Sequence, residues 1–264
     1  MQKPGHGQTW PEAPTIERVR HSLRRRNLSV EAVERLTPHM LRITLSGADM
    51  ADFTSVAPDD HIKIFFPGAN GGEVRRDYTP RKFNPETGTL VLDFVDHQAG
   101  PAATWAQNAK VGDRLEIGGP KGSRIIAGEV AHWLLVGDET ALPAIGRWVE
   151  SLPAQADVTT LVAVPGVEDQ QEFATAAAHD AYWVHRPTEL ADQAQAIVAA
   201  LGHVPIEVGT FVWVGAEAHV ASAVRHYLLE VRCVPVQWVR ASGYWIMGRP
   251  GATVPDMEVM EALG

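Results

Sequence analysis

From about Glu17 to Gly128 the chain is built of short segments whose apolar side chains recur at every second position. In Met40–Ser46 the residues Leu41, Ile43 and Leu45 alternate with Arg42 and Thr44, and in His61–Phe66 the residues Ile62, Ile64 and Phe66 oppose His61, Lys63 and Phe65. Successive side chains of a strand point to opposite faces, so each run predicts a half-buried antiparallel strand with an inner and an outer side. Asn84-Pro85-Glu86-Thr87-Gly88 predicts a hairpin turn into a strand over Thr89–Asp96, and Lys110–Ile117 leads into a tight corner at Gly118-Gly119-Pro120-Lys121-Gly122. Several such strands in succession predict a small antiparallel β-barrel.

After about Ala131 the rhythm becomes strand, loop, helix: HWLLVG, ALPAIGRWVESL, DVTTLVAV, then FVWVGA and EAHVASAVRHYLLEV. The spacing from Leu134 to Leu161 fits one helix between two parallel strands, which need a crossover of a dozen or more residues. The second half is therefore expected to be a doubly wound parallel sheet that takes ligands at the carboxyl ends of its strands. The expected organisation is a loose arm over residues 1–15, a barrel domain over 16–130, and an α/β domain with a C-terminal tail over 131–264, the boundary falling near Gly128 to His132.

Composition narrows the functions open to such a chain. Its 264 residues suffice for two ordinary domains, and 45% hydrophobic with 21% charged residues is a globular mixture. A formal net charge of −9 argues against a nucleic-acid binder or a membrane-surface binder, which need a broad positive field. Cys233 is the single cysteine, so neither an intrachain disulfide nor a cysteine-ligated cluster is open to the chain, and redox work needs a bound cofactor. No resident metal site is expected, because the histidines lack metal-ligand spacing. The first fifteen residues hold three prolines and no apolar core of a secretory signal, and no stretch reaches the length of a membrane span, so a cytoplasmic protein is expected, as a monomer. GxGxxG, the P-loop and GxSxG are all absent.

Two neighbouring stretches carry chemistry. In Arg76-Asp77-Tyr78-Thr79-Pro80-Arg81 the side chains of Arg76 and Tyr78 share one face of a strand, so a guanidinium can grip an anion while a phenol ring lies against a flat aromatic system. Thr79 offers a hydroxyl or its amide at the edge of that system. The same six residues also suit a plain solvated arginine pair. In Asp93-Phe94-Val95-Asp96-His97-Gln98-Ala99-Gly100-Pro101-Ala102 a strand ends and a short helix carrying Trp105 begins. Pro101 suits a first helical position, Gly100 admits a close ligand, and free amides at a helix start seat a pyrophosphate, although Gly-Pro is also an ordinary turn.

These blocks, with DDHIKIFFP at 59–67, GDRLEIGGPKGS at 112–123, GDETALPAI at 137–145 and SGYWIMGR at 242–249, resemble the siderophore-interacting, FAD-binding proteins, the ferric-siderophore reductases of the ferredoxin-reductase-like superfamily. The resemblance covers nearly the whole chain. It implies that Arg76 and Arg81 bind FAD phosphates, that Tyr78 stacks on the isoalloxazine, and that Thr79 meets its N5 edge. Asp93, His97, Gly100, Pro101, Ala102 and Trp105 would complete the FAD seat. Thr140 and Ala141 would approach the flavin from the second domain, and the Gly215-Ala216-Glu217 turn would border a groove for NADH or NADPH. The implied substrate is a ferric siderophore, commonly anionic, with Lys63 as first candidate for its electrostatic contact and Lys121 and Arg249 next. Tyr244 and Trp245 would cover the flavin or nicotinamide face, or plug the end of the last strand.

One departure is visible: where the family carries a basic residue after Gly-Tyr-Trp, this chain has Ile246. Glu168 and Asp169, after the strand ending near Val164, lean towards NADH, since they would repel a 2′-phosphate if they face the ribose. A general flavin or electron-carrier reductase, a non-enzymatic siderophore-binding module, and a flavin-free interaction barrel are the alternatives.

Overall fold

The computed structural model describes residues 9–68, 71–97 and 100–252. Residues 1–8 of the expected arm, Gln98 and Ala99 of the expected pyrophosphate seat, and the tail from 253 lie outside the described residues. Two compact units divide the chain: Ile16–Ile125 with Gly146–Trp148, and Ile126–Ile145 with Val149 onward and the segment ending at Thr15.

The first unit contains β1 (Thr15–Arg20), β2 (Arg25–Thr37), β3 (Met40–Ser46), β4 (Ile62–Pro67), β5 (Glu73–Tyr78), β6 (Lys82–Asn84), β7 (Thr89–Val95), α1 (Pro101–Asn108), β8 (Arg114–Gly118) and β9 (Gly122–Ala127). Seven strands form one sheet in the order β5-β4-β8-β2-β3-β7-β6, every pair antiparallel, while β1 and β9 make a separate ribbon. The alternation expected along β3 and β4 is present. Leu41, Ile43, Leu45, Ile62, Ile64 and Phe66 are buried, and they join Leu28, Leu92, Phe94 and Ile117 in one core. A slip of one residue would turn all of β4's apolar set outward, at roughly 1.5–3 kcal/mol for each side chain exposed, so the register is firmly specified. The hairpin between β6 and β7 forms where expected: the Asn84 side chain accepts the amide of Glu86 at 2.9 Å, and Gly88 takes a φ of +64°.

The second unit holds β10 (His132–Asp138), α2 (Leu142–Ser151), β11 (Asp157–Val164), β12 (Ala178–His185), α3 (Gln195–Leu201), β13 (Thr210–Glu217), α4 (Ala218–His226) and β14 (Val239–Trp245). Its five strands are all parallel, in the order β12-β11-β10-β13-β14. The chain winds outward from β10 through β11 to β12, then returns to the other side of β10 with β13. That places the reversal of strand order between β10 and β13. Two details differ from the sequence expectation. The crossover from β11 to β12 contains a 3-10 turn, Val167–Asp169, and no α-helix, because its thirteen residues are already long enough to return to the start of the sheet. The helix expected to run through Val231 stays α-helical to His226 and then widens into a π-turn over Tyr227–Val231. Trp10 rests with its ring 5.5 Å from that of Trp238. No helix of the described residues is long and apolar enough to cross a membrane.

Candidate functional site

In the first unit the candidate cofactor groups gather at the end of β5 and the start of α1. Along β5, Val74, Arg76 and Tyr78 share the half-buried face, whereas Glu73, Arg75 and Asp77 are exposed. The Tyr78 ring lies 4.5 Å from Phe94, Phe94 lies 5.6 Å from Trp105, and Trp105 lies 6.0 Å from Phe66, so the phenol is the outer end of a continuous aromatic row. Burial pushes the Tyr78 hydroxyl well above its ordinary pKa, with the Arg76 charge pulling the other way, and the ring stays neutral. Thr79 and Arg81 follow, each 7% exposed.

Asp93 is a structural clamp. Arg42 donates from Nε and Nη2 to its two oxygens at 2.7 and 2.8 Å, and the Nε of Arg81 stands 3.9 Å away. The carboxylate that the family resemblance assigned to the FAD seat thus holds two guanidinium groups in place. Arg42 escaped the sequence reading. It sits directly opposite Asp93 in the β3–β7 register, a pairing of residues fifty-one apart that no local pattern reveals.

At the start of α1, Gly100 has a φ of +123° and no side chain caps the helix; Pro101 opens it and no acid lies in its first turn. Thr104 already bonds back to the Gly100 carbonyl at 3.0 Å, so the amides of Ala102 and Ala103 are those left without an intrahelical acceptor. A Cβ on residue 100 would stand 3.4 Å from the His97 ring. An arginine, a stacked phenol and an uncapped helix start beside a glycine that leaves room at the backbone fit the phosphates and flat ring of FAD.

The substrate candidates are more dispersed. Lys63 lies opposite Asp77 in the β4–β5 register and donates to it at 2.6 Å, with both side chains about half exposed, so its charge is shared. Lys121 is exposed, and its carbonyl accepts the amide of His21 at 3.0 Å. Arg249 is an exposed residue of the other unit, where its amide bonds to the Ile246 carbonyl at 3.0 Å.

In the second unit the carboxyl ends of β10, β13 and β14 are tied together by Asp138, which is 2% exposed. One of its oxygens accepts the Thr140 hydroxyl and amide, the other the Glu217 amide at 2.8 Å and the Trp245 indole at 3.0 Å. Glu217, fully buried, caps α4 through the amides of His219 and Val220 and also accepts the amide of Met247 at 3.2 Å. Tyr244 stands edge-on to Trp213 at 6.0 Å. Thr140, Tyr244 and Trp245 therefore belong to one rim. Ala141 is completely buried, with its amide bonded to the Asp138 carbonyl. Next to Asp138, Glu139 receives the Arg186 guanidinium at 2.7 Å, and burial, reinforced by the Asp138 charge, raises the Glu139 carboxyl to about 7 despite that partner. Asp138 and Arg186 also line a small cavity with Ala163, Val184, Gln193 and Val220. Arg186 did not stand out in the sequence, and Asp138, though part of the GDETALPAI block, has contacts to the ends of β13 and β14 that no local pattern reveals.

Comparison with known proteins finds relatives over nearly the whole chain. Residues 130–248 match the family described as siderophore-interacting protein, and residues 29–75 and 70–124 match the siderophore-interacting FAD-binding domain. The NADPH-dependent ferric-chelate reductase of Escherichia coli (strain K12) is 33% identical over 251 residues, covering 87% of this chain and 96% of that protein. A crystallised siderophore utilization protein from T. fusca superposes with a TM-score of 0.84 at 32% identity, over 90% of this chain and 99% of the other. The siderophore-interacting protein SipS from Aeromonas hydrophila gives 0.73 at 30% identity, over 84% and 98%. The ferredoxin reductase of a carbazole 1,9a-dioxygenase, at 18% identity and a TM-score of 0.67 over 82% and 66%, shares the fold. The chain belongs to the siderophore-interacting protein family.

Proposed function

We propose that the protein is an FAD-dependent NAD(P)H:ferric-siderophore oxidoreductase that frees iron in the cytoplasm by reducing it. The observation that carries this reading is the grouping of Arg76, Tyr78, Thr79 and Arg81 beside the uncapped, glycine-started helix α1. The relative named as an NADPH-dependent ferric-chelate reductase supports the same activity.

We read the seven-stranded sheet as a closed barrel. Its two edge strands, β5 and β6, are joined by Thr79, Pro80 and Arg81 alone. Such a link spans at most ~14 Å, whereas a flat sheet of seven strands is ~29 Å across, so the sheet has to curl until its edges lie within that reach, which supports a closed barrel. Closure puts the cofactor residues at the seam.

Bound FAD supplies the capacity to accept a hydride and to release it as two single electrons. The chain's part is placement. Arg76 and Arg81 would hold phosphates, Arg81 being placed beside the Asp93–Arg42 fork. Tyr78, backed by Phe94, would lie against the isoalloxazine, Thr79 would meet its reactive edge, and the amides at the start of α1 would take the pyrophosphate. Trp245 and Tyr244, held at the sheet rim, would face the donor. Lys63 offers its ammonium to an anionic chelate in competition with Asp77. Each NAD(P)H reduces two ferric chelates, and oxygen-rich chelators hold the ferrous ion far less tightly than the ferric.

The test is steady-state release of ferrous iron, trapped by a coloured ferrous chelator, from a ferric siderophore in the presence of FAD-loaded protein and NADPH or NADH. Catalytic release that disappears in Tyr78→Ala is expected. An FAD-loaded wild-type protein that releases no ferrous iron with either donor overturns the reading.

A further inference from the structure

Asp93 is oddly placed for a carboxylate. It lies on the same side of β7 as Thr89 and Val91, both half-buried, yet it is itself only 4% exposed. Two guanidinium groups stand against it, and they share it unequally. Arg42, its direct partner across β3 and β7, closes a fork on both oxygens at 2.7 and 2.8 Å. Arg81 approaches the same carboxylate with Nε at 3.9 Å, too far for a hydrogen bond. The side chain of Arg42 is 26% exposed and that of Arg81 8%, so the more deeply buried cation has the weaker hold on the shared anion.

The sheet does not require this fork. β3 and β7 are paired in register from Met40 opposite Val95 to Ser46 opposite Thr89, and a single cross-strand ion pair adds little to such a ladder. What the fork does control is the distance between Asp93 and Arg81. The Arg81 amide donates to the Val91 carbonyl at 2.9 Å, which anchors its backbone beside β7 and keeps its side chain within reach of Asp93. A shift of about 1 Å brings Nε to hydrogen-bond distance, and carboxylate and guanidinium readily close a two-point pair. An arginine tied up in that way has to be released before a phosphate can take it.

We propose that Arg42 is a positioning residue for the flavin dinucleotide: by occupying both oxygens of Asp93 it keeps Arg81 from collapsing onto that carboxylate, and so leaves the Arg81 guanidinium to the phosphates. The proposal rests on the reading of the first unit as the FAD seat. It gives Asp93 and Arg42 separate tasks. Asp93 draws Arg81 to the end of the β5–β6 link, and Arg42 limits how close it comes. Removing Arg42 therefore harms phosphate binding through Asp93, and removing both partners relieves the harm.

Flavin-fluorescence titrations of the full-length apoprotein with FAD and with riboflavin, which carries the ring and no phosphate, test the assignment. Wild type is expected to bind FAD roughly a hundredfold more tightly than riboflavin. Arg42→Met is expected to lose roughly tenfold of that preference while its riboflavin affinity stays unchanged. Adding Asp93→Asn to Arg42→Met removes the competing carboxylate and is expected to restore the preference to within about threefold of wild type. An undiminished preference in Arg42→Met, an equal loss of both flavins, or a double variant no better than the single one overturns the proposal and leaves the FAD seat standing. Wild type that binds neither flavin, or binds both alike, removes the phosphate seat as well. Should Arg42→Met fail to fold, Arg42→Lys decides, since it keeps a cation at Asp93 without the fork. Its preference for FAD is expected to fall several-fold, and a preference equal to that of wild type contradicts the role.

Discussion

Lys63 and Asp77 face each other across β4 and β5, so the cation proposed for an anionic chelate is already partly compensated. An exposed pair of this kind contributes about 0.2–1 kcal/mol, little enough for a ligand to displace it. Removing the two partners should then have opposite effects. Lys63→Ala is expected to raise KM for an anionic ferric siderophore roughly tenfold, about 1.4 kcal/mol, and Asp77→Asn to lower it about two- to threefold, both with little change in kcat. Steady-state kinetics decide, and two shifts in the same direction would contradict an electrostatic role. Glu139 makes a second prediction at this scale. Its carboxyl binds a proton more tightly in the folded protein, at about 7 against an ordinary 4.5, so the folded state holds more protons between those values and stability falls as pH rises through them. In chemical denaturation from pH 5 to 8, wild type is expected to lose roughly 1–3 kcal/mol more than Glu139→Gln. The shared face of Arg76 and Tyr78 was legible from strand alternation alone. Arg42, Asp138 and Arg186 were not, because each acquires its role from a strand distant in sequence.

Among the elements, α1 is the one proposed to seat the pyrophosphate. Gly100 opens it with a backbone conformation that L side chains rarely adopt, and any side chain there would stand where the helix start is open. Gly100→Ala is expected to cost about 1–3 kcal/mol in backbone strain if the conformation is kept. It is also expected to weaken FAD at least tenfold in a flavin-fluorescence titration while the protein still melts cooperatively. Unchanged FAD affinity would show that α1 does not seat the pyrophosphate. The strands of the first unit could be read from sequence because one side of each is buried and the other is not. β12 escaped: it is an edge strand whose pattern over Ala178–His185 is mostly exposed, so no apolar alternation marks it. The helix-free crossover before it was equally hidden, since spacing constrains the length of a connection and not its content.

For the whole molecule, a formal charge of −9 means that the anionic cofactor and chelate of the proposed function have to be met by local cations, and the candidates for that task occupy both units: Arg76, Arg81 and Lys63 in one, Arg249 in the other. The division into a strand-rich unit and a parallel-sheet unit was legible from the change of hydrophobic period near Ala131, and the ordered blocks along the chain carried the family resemblance that the comparisons bear out. The proposed function joins these parts through electron flow from a nicotinamide donor by way of FAD to chelated iron. Its most direct measurement is anaerobic: FAD-loaded protein mixed with NADPH or NADH, followed in the visible flavin band, then given a ferric siderophore. The account predicts that the band bleaches with the donor and returns on addition of the siderophore, with two ferrous ions trapped for each nucleotide oxidised. Bound flavin that stays oxidised with both donors, or bleached flavin that the ferric siderophore fails to recolour, would contradict it.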